Sequence, residues 1–207
     1  MKFKKYLLPG CLALLILLLI IGVVTNNSFM LTMDQFLNRF FYDRPQALAP
    51  SVVRVVTQLG NSKIELVLAF LFAAFLFWRK RQRLALWFFG TNAIGMIALI
   101  LLGKLLFHRP RPSVLPHLAH ASGFSFPSGH ALSAIIFYGS IIFLVLTEEK
   151  PPKALARTLI VLGVLLCVLV GWSRLFLGVH YYTDILAGFS IGSLWLYTLC
   201  QYYPRPK

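Results

Sequence analysis

Six stretches of almost unbroken apolar residues, each close to the roughly 20 residues that carry a helix across a bilayer, leave this chain few folds to choose from. They cover approximately residues 6–24, 62–78, 84–107, 130–147, 155–172 and 183–203. Hydrocarbon offers no water to satisfy a backbone N–H or C=O, so such runs must close their hydrogen bonds internally as helices. The expected fold is all-α, an integral membrane bundle of six transmembrane helices forming a single domain over residues 1–207. The first run follows Met-Lys-Phe-Lys-Lys as a signal peptide would. It is longer than the roughly 7–15 apolar residues of a secretory core, and no small-x-small site precedes Thr25-Asn26-Asn27, so it reads as an uncleaved span. Cys11, Cys167 and Cys200 lie inside apolar runs without metal-type spacing and read as small buried hydrophobes.

Twenty Lys and Arg against 6 Asp and Glu would suggest a nucleic-acid partner in a soluble protein. Here most of the basic residues cluster at the ends of apolar runs, the pattern that orients a chain in a membrane, and nucleic acid is excluded as a partner on that ground. A cytoplasmic N-terminus puts Lys2, Lys4 and Lys5, then Arg79, Lys80, Arg81 and Arg83, then Lys150, Lys153 and Arg157, then Arg205 and Lys207 on one side. Both termini are then cytoplasmic. Residues 26–62, 108–129 and 173–183 face outward. In the first of these segments Phe29, Met33, Phe36, Leu37, Phe40 and Phe41 recur at helical spacing, with Asp34, Asn38 and Arg39 off that face. The segment 29–41 reads as an extracytoplasmic interfacial helix or a cap on the bundle, and contributes no catalytic group.

Lys104, Arg109, Arg111 and Arg174 stand on the outward side, where orientation alone would not put them. Lys104, Arg111 and Arg174 aimed at one place call for an anion, because like charges beside a low-dielectric bundle repel strongly. A phosphoryl group suits the planar donor fork of Arg and the point charge of Lys; contact with lipid headgroups is the plainer alternative. Ser128-Gly129 precedes a span that begins near His130, so its N–H groups belong to a helix N-terminus and favour the same anion, although Ser128 could also be an ordinary N-cap. His180 and Asp184 are four apart and would share a helix face, the carboxylate orienting the imidazole; alone, such a pair is as readily structural. His130 is then the candidate general acid. Arg109, beside these residues, is read as rim or as a supplementary steering charge, and His108, His117 and His120 as rim.

The spacings Lys-x6-Arg-Pro (Lys104 to Pro112), Pro-Ser-Gly-His (Pro127 to His130) and Ser-Arg-x5-His-x3-Asp (Ser173 to Asp184) resemble, without departure, the three signatures of the type 2 phosphatidic acid phosphatase superfamily. The six-span layout resembles that family across essentially the whole chain. The resemblance implies a covalent phosphohistidine on His180 with Asp184 as its partner and His130 as acid. It also implies phosphate binding by Lys104, Arg111, Ser128, Gly129 and Arg174, with Pro127 and Ser173 as further signature positions in support. No metal and no cofactor is implied, and no carboxylate cluster in the sequence would hold one. The expected function is hydrolysis of a lipid phosphate at the outer face of the cell membrane. The short chain is similar to bacterial members acting on phosphatidylglycerophosphate or phosphatidic acid; undecaprenyl diphosphate is the alternative substrate. An anion transporter would place its charges at the bilayer midplane rather than at one end. An inactive scaffold would have lost a signature residue.

Overall fold

In the computed structural model, which describes residues 3–43, 49–113 and 116–203 with side chains from Tyr6 onward, all regular secondary structure among the described residues is helical. Five helical stretches there are long and apolar enough to cross a membrane: Tyr6–Val24, Gln82–Phe107, Gly129–Glu149, Lys153–Phe176 and Tyr182–Gln201. A sixth is built from Pro50–Gly60 and Ser62–Trp78, which meet at a 44° bend. In chain order the α-helices are α1 (Phe3–Val24), α2 (Ser28–Asp43), α3 (Pro50–Val56), α4 (Ser62–Trp78), α5 (Gln82–Ile94), α6 (Ile100–Phe107), α7 (Gly129–Leu144), α8 (Lys153–Phe176) and α9 (Tyr182–Gln201). A π turn over Gly95–Leu99 joins α5 to α6, and another over Val145–Glu149 extends α7.

The helix ends follow from local chemistry. Asn26 after α1 and Lys80 after α4 sit in the left-handed region, at φ 49° and 59°. In each case the next residue's N–H reaches back five residues: Asn27 to Gly22 O at 3.0 Å and Arg81 to Leu76 O at 2.9 Å. These are Schellman ends, which satisfy the carbonyls that a terminating helix leaves bare. The α4–α5 turn carries Arg79, Lys80 and Arg81, and it meets the end of α7 through an Arg81–Glu148 ion pair of 3.5 Å. The basic turns after α4 and α7 therefore share one end of the bundle. Lys2, Arg205 and Lys207, and the side chains of Lys4 and Lys5, lie outside the described residues.

Helix α7 is the hub, packed against α9, α8, α4 and α5. Phe88, Leu132, Ile136 and Val170 are fully enclosed around it, while Leu14, Leu17, Phe70, Phe77, Val161 and Leu165 point outward as a lipid-facing surface. Hydrophobic burial contributes little between helices in lipid, so close contact and internal polar links must hold them. Asn92 on α5 donates to Ser140 on α7 at 3.1 Å, and Trp195 on α9 donates to Thr91 O at 2.9 Å. Gly188 and Gly192, one turn apart on α9, let it lie directly on α7: a Cβ at Gly188 would come within 2.6 Å of Ser128 O. Replacing Gly188 by Val is expected to destabilise the fold by about 1–3 kcal/mol, as overpacking does. It should lower the unfolding temperature in detergent and reduce activity together, since Ser128 must move; wild-type values for both would show that the α7–α9 contact does not fix the site.

The segment expected to form an interfacial helix or a cap on the bundle is helix α2. Helix α2 is amphipathic, yet Asp34 and Asn38 are buried whereas Phe29, Met33, Phe36 and Phe40 are exposed. Asp34 and Asn38 pack inward where α2 meets α8 and α9, with Phe41 part-buried against Ala131, Leu175 and Ile185, while Phe29, Met33, Phe36 and Phe40, and Arg39 with them, are left to the surroundings. In a membrane that arrangement is reasonable, because lipid accepts the aromatic face and the protein's own polar site accepts the other.

Candidate active site

At the end of the bundle opposite the basic turns, the C-terminus of α6, the N-termini of α7 and α9 and the C-terminus of α8 converge. Helix α8 stops in a Schellman motif, with Gly178 at φ 68°, Gly178 N donating to Leu175 O at 2.9 Å and Val179 N to Arg174 O at 3.2 Å. The left-handed residue is a glycine because a Cβ there would be strained. The reversal folds His180 back towards Arg174, and Asn38 of α2 holds it by donating to His180 O at 3.1 Å.

His180 is buried, with Nδ1 3.3 Å from Asp184 Oδ2 and Nε2 3.3 Å from Arg111 Nη1. The two residues do not share a helix face, as the spacing suggested. His180 precedes α9, and Asp184 occupies the helix's third position, where its Oδ2 also accepts from Tyr181 N at 2.9 Å. Capping geometry turns the carboxylate back onto the histidine. A carboxylate at Nδ1 favours the proton on that nitrogen, which leaves the Nε2 lone pair facing the cations. Burial, reinforced by Arg174, Arg111 and Lys104, pushes His180 well below its ordinary pKa and keeps the ring neutral.

Around Nε2 the signature residues assemble. Arg111 is held in place by carbonyls, donating from Nη1 to Val179 O at 2.6 Å, from Nη2 to Ser122 O at 3.0 Å and from Nε to Gly123 O at 3.1 Å. Arg174 is buried and donates to Thr57 Oγ1 at 2.9 Å, while its Nε has no partner among the described residues. Lys104, half-buried on the last turn of α6, interacts electrostatically with both arginines and with Asp184. His130, the second residue of α7, interacts likewise with Arg174, His180, Lys104 and Arg111.

Ser128 is the N-cap of α7 by position, and its N–H donates to Asp184 O at 2.9 Å. Its hydroxyl, however, makes no capping bond and is buried without a partner among the described residues. A buried polar atom left bare costs roughly 1–3 kcal/mol, so Ser128 Oγ and Arg174 Nε are each suited to an anion's oxygen. The N–H groups of Gly129 and His130 open the helix and have no preceding turn to accept them. Gly129 leaves room, since a Cβ there would meet nothing closer than Ile100 at 3.4 Å. Pro127, after a cis peptide bond, is buried against Gly103, the neighbour of Lys104. The Ser173 hydroxyl is engaged within its own helix, donating to Val170 O at 2.6 Å.

Arg109 is not at the rim. It is buried, with Nη1 2.6 Å from Asp184 Oδ1, Nη2 2.7 Å from Asp34 Oδ2 and its guanidinium over the Tyr181 ring at 4.1 Å. Burial opposes its charge, yet Asp184 and Asp34 together hold its pKa above the ordinary arginine value. Thr183 completes the knot, its N–H and hydroxyl both donating to Asp34 at 2.9 and 2.7 Å. Asp34, Asn38 and Thr183 were not legible as site residues; the one signal was a carboxylate in a segment otherwise rich in aromatics. His108 and His120 are exposed on the rim.

Residues 84–207 match the model of a family described as the PAP2 superfamily. The chain is 31% identical over 188 residues to phosphatidylglycerophosphatase B of Bacillus subtilis, covering 88% of this chain and 89% of that one. It superposes with a TM-score of 0.79 and 29% identity on the crystal structure of a transmembrane PAP2 type phosphatidylglycerolphosphate phosphatase from Bacillus subtilis, over 94% of each chain. A shorter match, 40% identical over 70 residues, links it to an undecaprenyl-diphosphatase of Sulfolobus acidocaldarius across 34% of this chain and 29% of that one.

Proposed function

Because the chain belongs to the PAP2 superfamily, we propose that it is a membrane lipid phosphatase, over residues 1–207, that splits a phosphate monoester or diphosphate through a phosphohistidine on His180. The observation that carries this reading is the setting of His180 Nε2. Its lone pair lies 3.3 Å from Arg111, where Lys104, Arg174, the bare Ser128 hydroxyl and the α7 N-terminus all favour an anion. An oxygen-rich phosphoryl group in that place presents its phosphorus to Nε2.

Attack forms the N–P bond as the P–O bond to the lipid breaks, and the departing alkoxide takes a proton from His130. The negative charge of Asp184, at His180 Nδ1, offsets the positive charge that the His180 ring acquires. His130, now neutral, removes a proton from water, whose oxygen attacks phosphorus, and the N–P bond breaks to release phosphate. Lys104, Arg111, Arg174 and the N–H groups of Gly129 and His130 hold the equatorial oxygens, the preorganised donors that phosphoryl transfer needs. Pro127 shapes the turn that delivers them, and Ser173 supports the end of α8.

The site draws its positive charge from side chains, so the scheme requires no metal. Activity is expected to be unchanged by EDTA and blocked by vanadate, which mimics the five-coordinate phosphorus; loss of activity on chelation would overturn the metal-free scheme. The basic turns at Arg79–Arg83 and Lys150–Arg157 favour a cytoplasmic location for their end of the bundle. The site then opens on the extracytoplasmic side. For substrate, the match over 88% of the chain favours phosphatidylglycerophosphate, with phosphatidic acid of like headgroup chemistry. The partial match leaves undecaprenyl diphosphate as the second reading. Phosphate release by purified protein in mixed micelles is expected to be fastest from phosphatidylglycerophosphate, and faster release from the polyprenyl diphosphate would reverse that order.

A further inference from the structure

Asp34 lies on α2, in the segment whose sequence offered no chemistry, and it is fully buried with both carboxylate oxygens engaged. Its Oδ2 takes one arm of Arg109 at 2.7 Å, while the other arm grips Asp184 Oδ1 at 2.6 Å. The remaining oxygen of Asp184 faces His180 Nδ1. A continuous line of polar contacts thus runs from the interfacial helix to the imidazole. One turn along the same face of α2, Asn38 donates to the backbone carbonyl of His180.

The charges along this line have a definite balance. Asp34, Asp184 and Arg109 sum to one negative charge while His180 is neutral, and to zero once His180 becomes positive. Without the charge of Asp34 the sum would be zero at rest and one positive after attack, because Arg109 would pair with Asp184 alone. An arginine that fully neutralises Asp184 leaves little of that carboxylate for the imidazolium in a site of low dielectric.

We propose that Asp34 is a positioning residue for the His180–Asp184 pair, acting through Arg109: it occupies the second arm of the arginine, so that Asp184 keeps charge and direction for His180. This makes α2 part of the reaction site. The proposal rests on the reading of His180 as nucleophile. The phosphate-binding groups Lys104, Arg111 and Arg174 are not in the line, so the effect belongs to turnover and not to substrate capture.

The test uses Asp34→Asn, Arg109→Gln and the double variant, with His180→Ala alongside, assayed on phosphatidylglycerophosphate micelles. Asp34→Asn is expected to lower kcat by about 10- to 100-fold, as loss of an orienting partner does, with KM within about threefold of wild type. Since Asp34 acts through Arg109, the double variant should lose no more than the worse single one, and Asp34→Glu should recover most of the loss. Wild-type kcat in Asp34→Asn, a loss confined to KM, or losses that multiply in the double variant would each overturn the proposal. Should Asp34→Asn fail to fold, Arg109→Lys takes its place, keeping the cation but not the two-armed fork; a fall in kcat at constant KM is expected, and an unchanged kcat overturns the idea. An active His180→Ala would remove the nucleophile reading itself, whereas an inactive His180→Ala beside a normal Asp34→Asn would remove only the role of Asp34.

Discussion

His180→Ala is expected to reduce phosphate release from lipid by at least about 10⁴-fold, the scale seen when a covalent nucleophile is deleted from a preorganised site. The loss should reside in kcat, because Lys104, Arg111 and Arg174, the proposed phosphate ligands, stay in place. The fold should survive: His180 sits in a turn after α8, stabilised by backbone bonds and by Gly178, and its removal separates no helices. His180→Asn, whose amide can still donate to Asp184, should be equally inactive, since it retains the contact and lacks the nucleophilic nitrogen. The measurement is phosphate release together with acid-labile, base-stable labelling of the protein by a substrate carrying radioactive phosphate. Wild-type protein should carry the label and both variants should not. A labelled or active His180→Ala protein would remove His180 from the reaction.

The second large effect is expected at His130. As general acid for a lipid alkoxide, a poor leaving group, it should be worth about 10²- to 10⁴-fold, so His130→Ala should fall by that factor on phosphatidylglycerophosphate. An aryl phosphate needs no proton on departure. With it, His130→Ala is expected to release a burst of one phenolate per site and then turn over slowly, the phosphohistidine accumulating for want of a base to activate water. Position allows this division of labour, since His130 opens α7 two residues after Ser128 and lies close enough to His180, Lys104, Arg111 and Arg174 to interact with each of them. Equal loss on the alkyl and aryl substrates, with no accumulating intermediate, would leave His130 a binding or structural group.

Much of the site could be read from residue order because its parts lie at helix ends and near one another along the chain. Lys104 and Arg111 flank one helix end, Ser128 to His130 open another, and Ser173 to Asp184 span a single turn. Phosphate chemistry dictates their types, so type and spacing together pointed to an anion site. The same reasoning misjudged how His180 meets Asp184. A spacing of four fits both a shared helix face and a capping contact across a helix start, and only the Schellman ending of α8 decides between them.

Arg109 and α2 fared differently. Arg109 stands two residues before Arg111, and nothing local distinguishes a rim charge from a buried one. Its partners Asp34 and Asp184 each lie 75 residues away. For α2 the pattern was visible and its sense was not. Helical periodicity separates an aromatic face from a polar face, but it does not say which face meets protein when the medium outside is itself apolar.

The apolar runs by themselves determined that this chain forms membrane helices, since hydrocarbon leaves the backbone no other way to satisfy its N–H and C=O groups. The charge pattern set which helix ends belong together, and the three spaced signatures named most of the residues that the fold brings together around His180. The tertiary structure alone decided that Arg109 is locked between two carboxylates and that the interfacial helix turns Asp34 and Asn38 onto the turn of His180. The physical reason is that a buried charge can be placed only where a counter-charge is available, and that counter-charge comes from a helix distant in sequence.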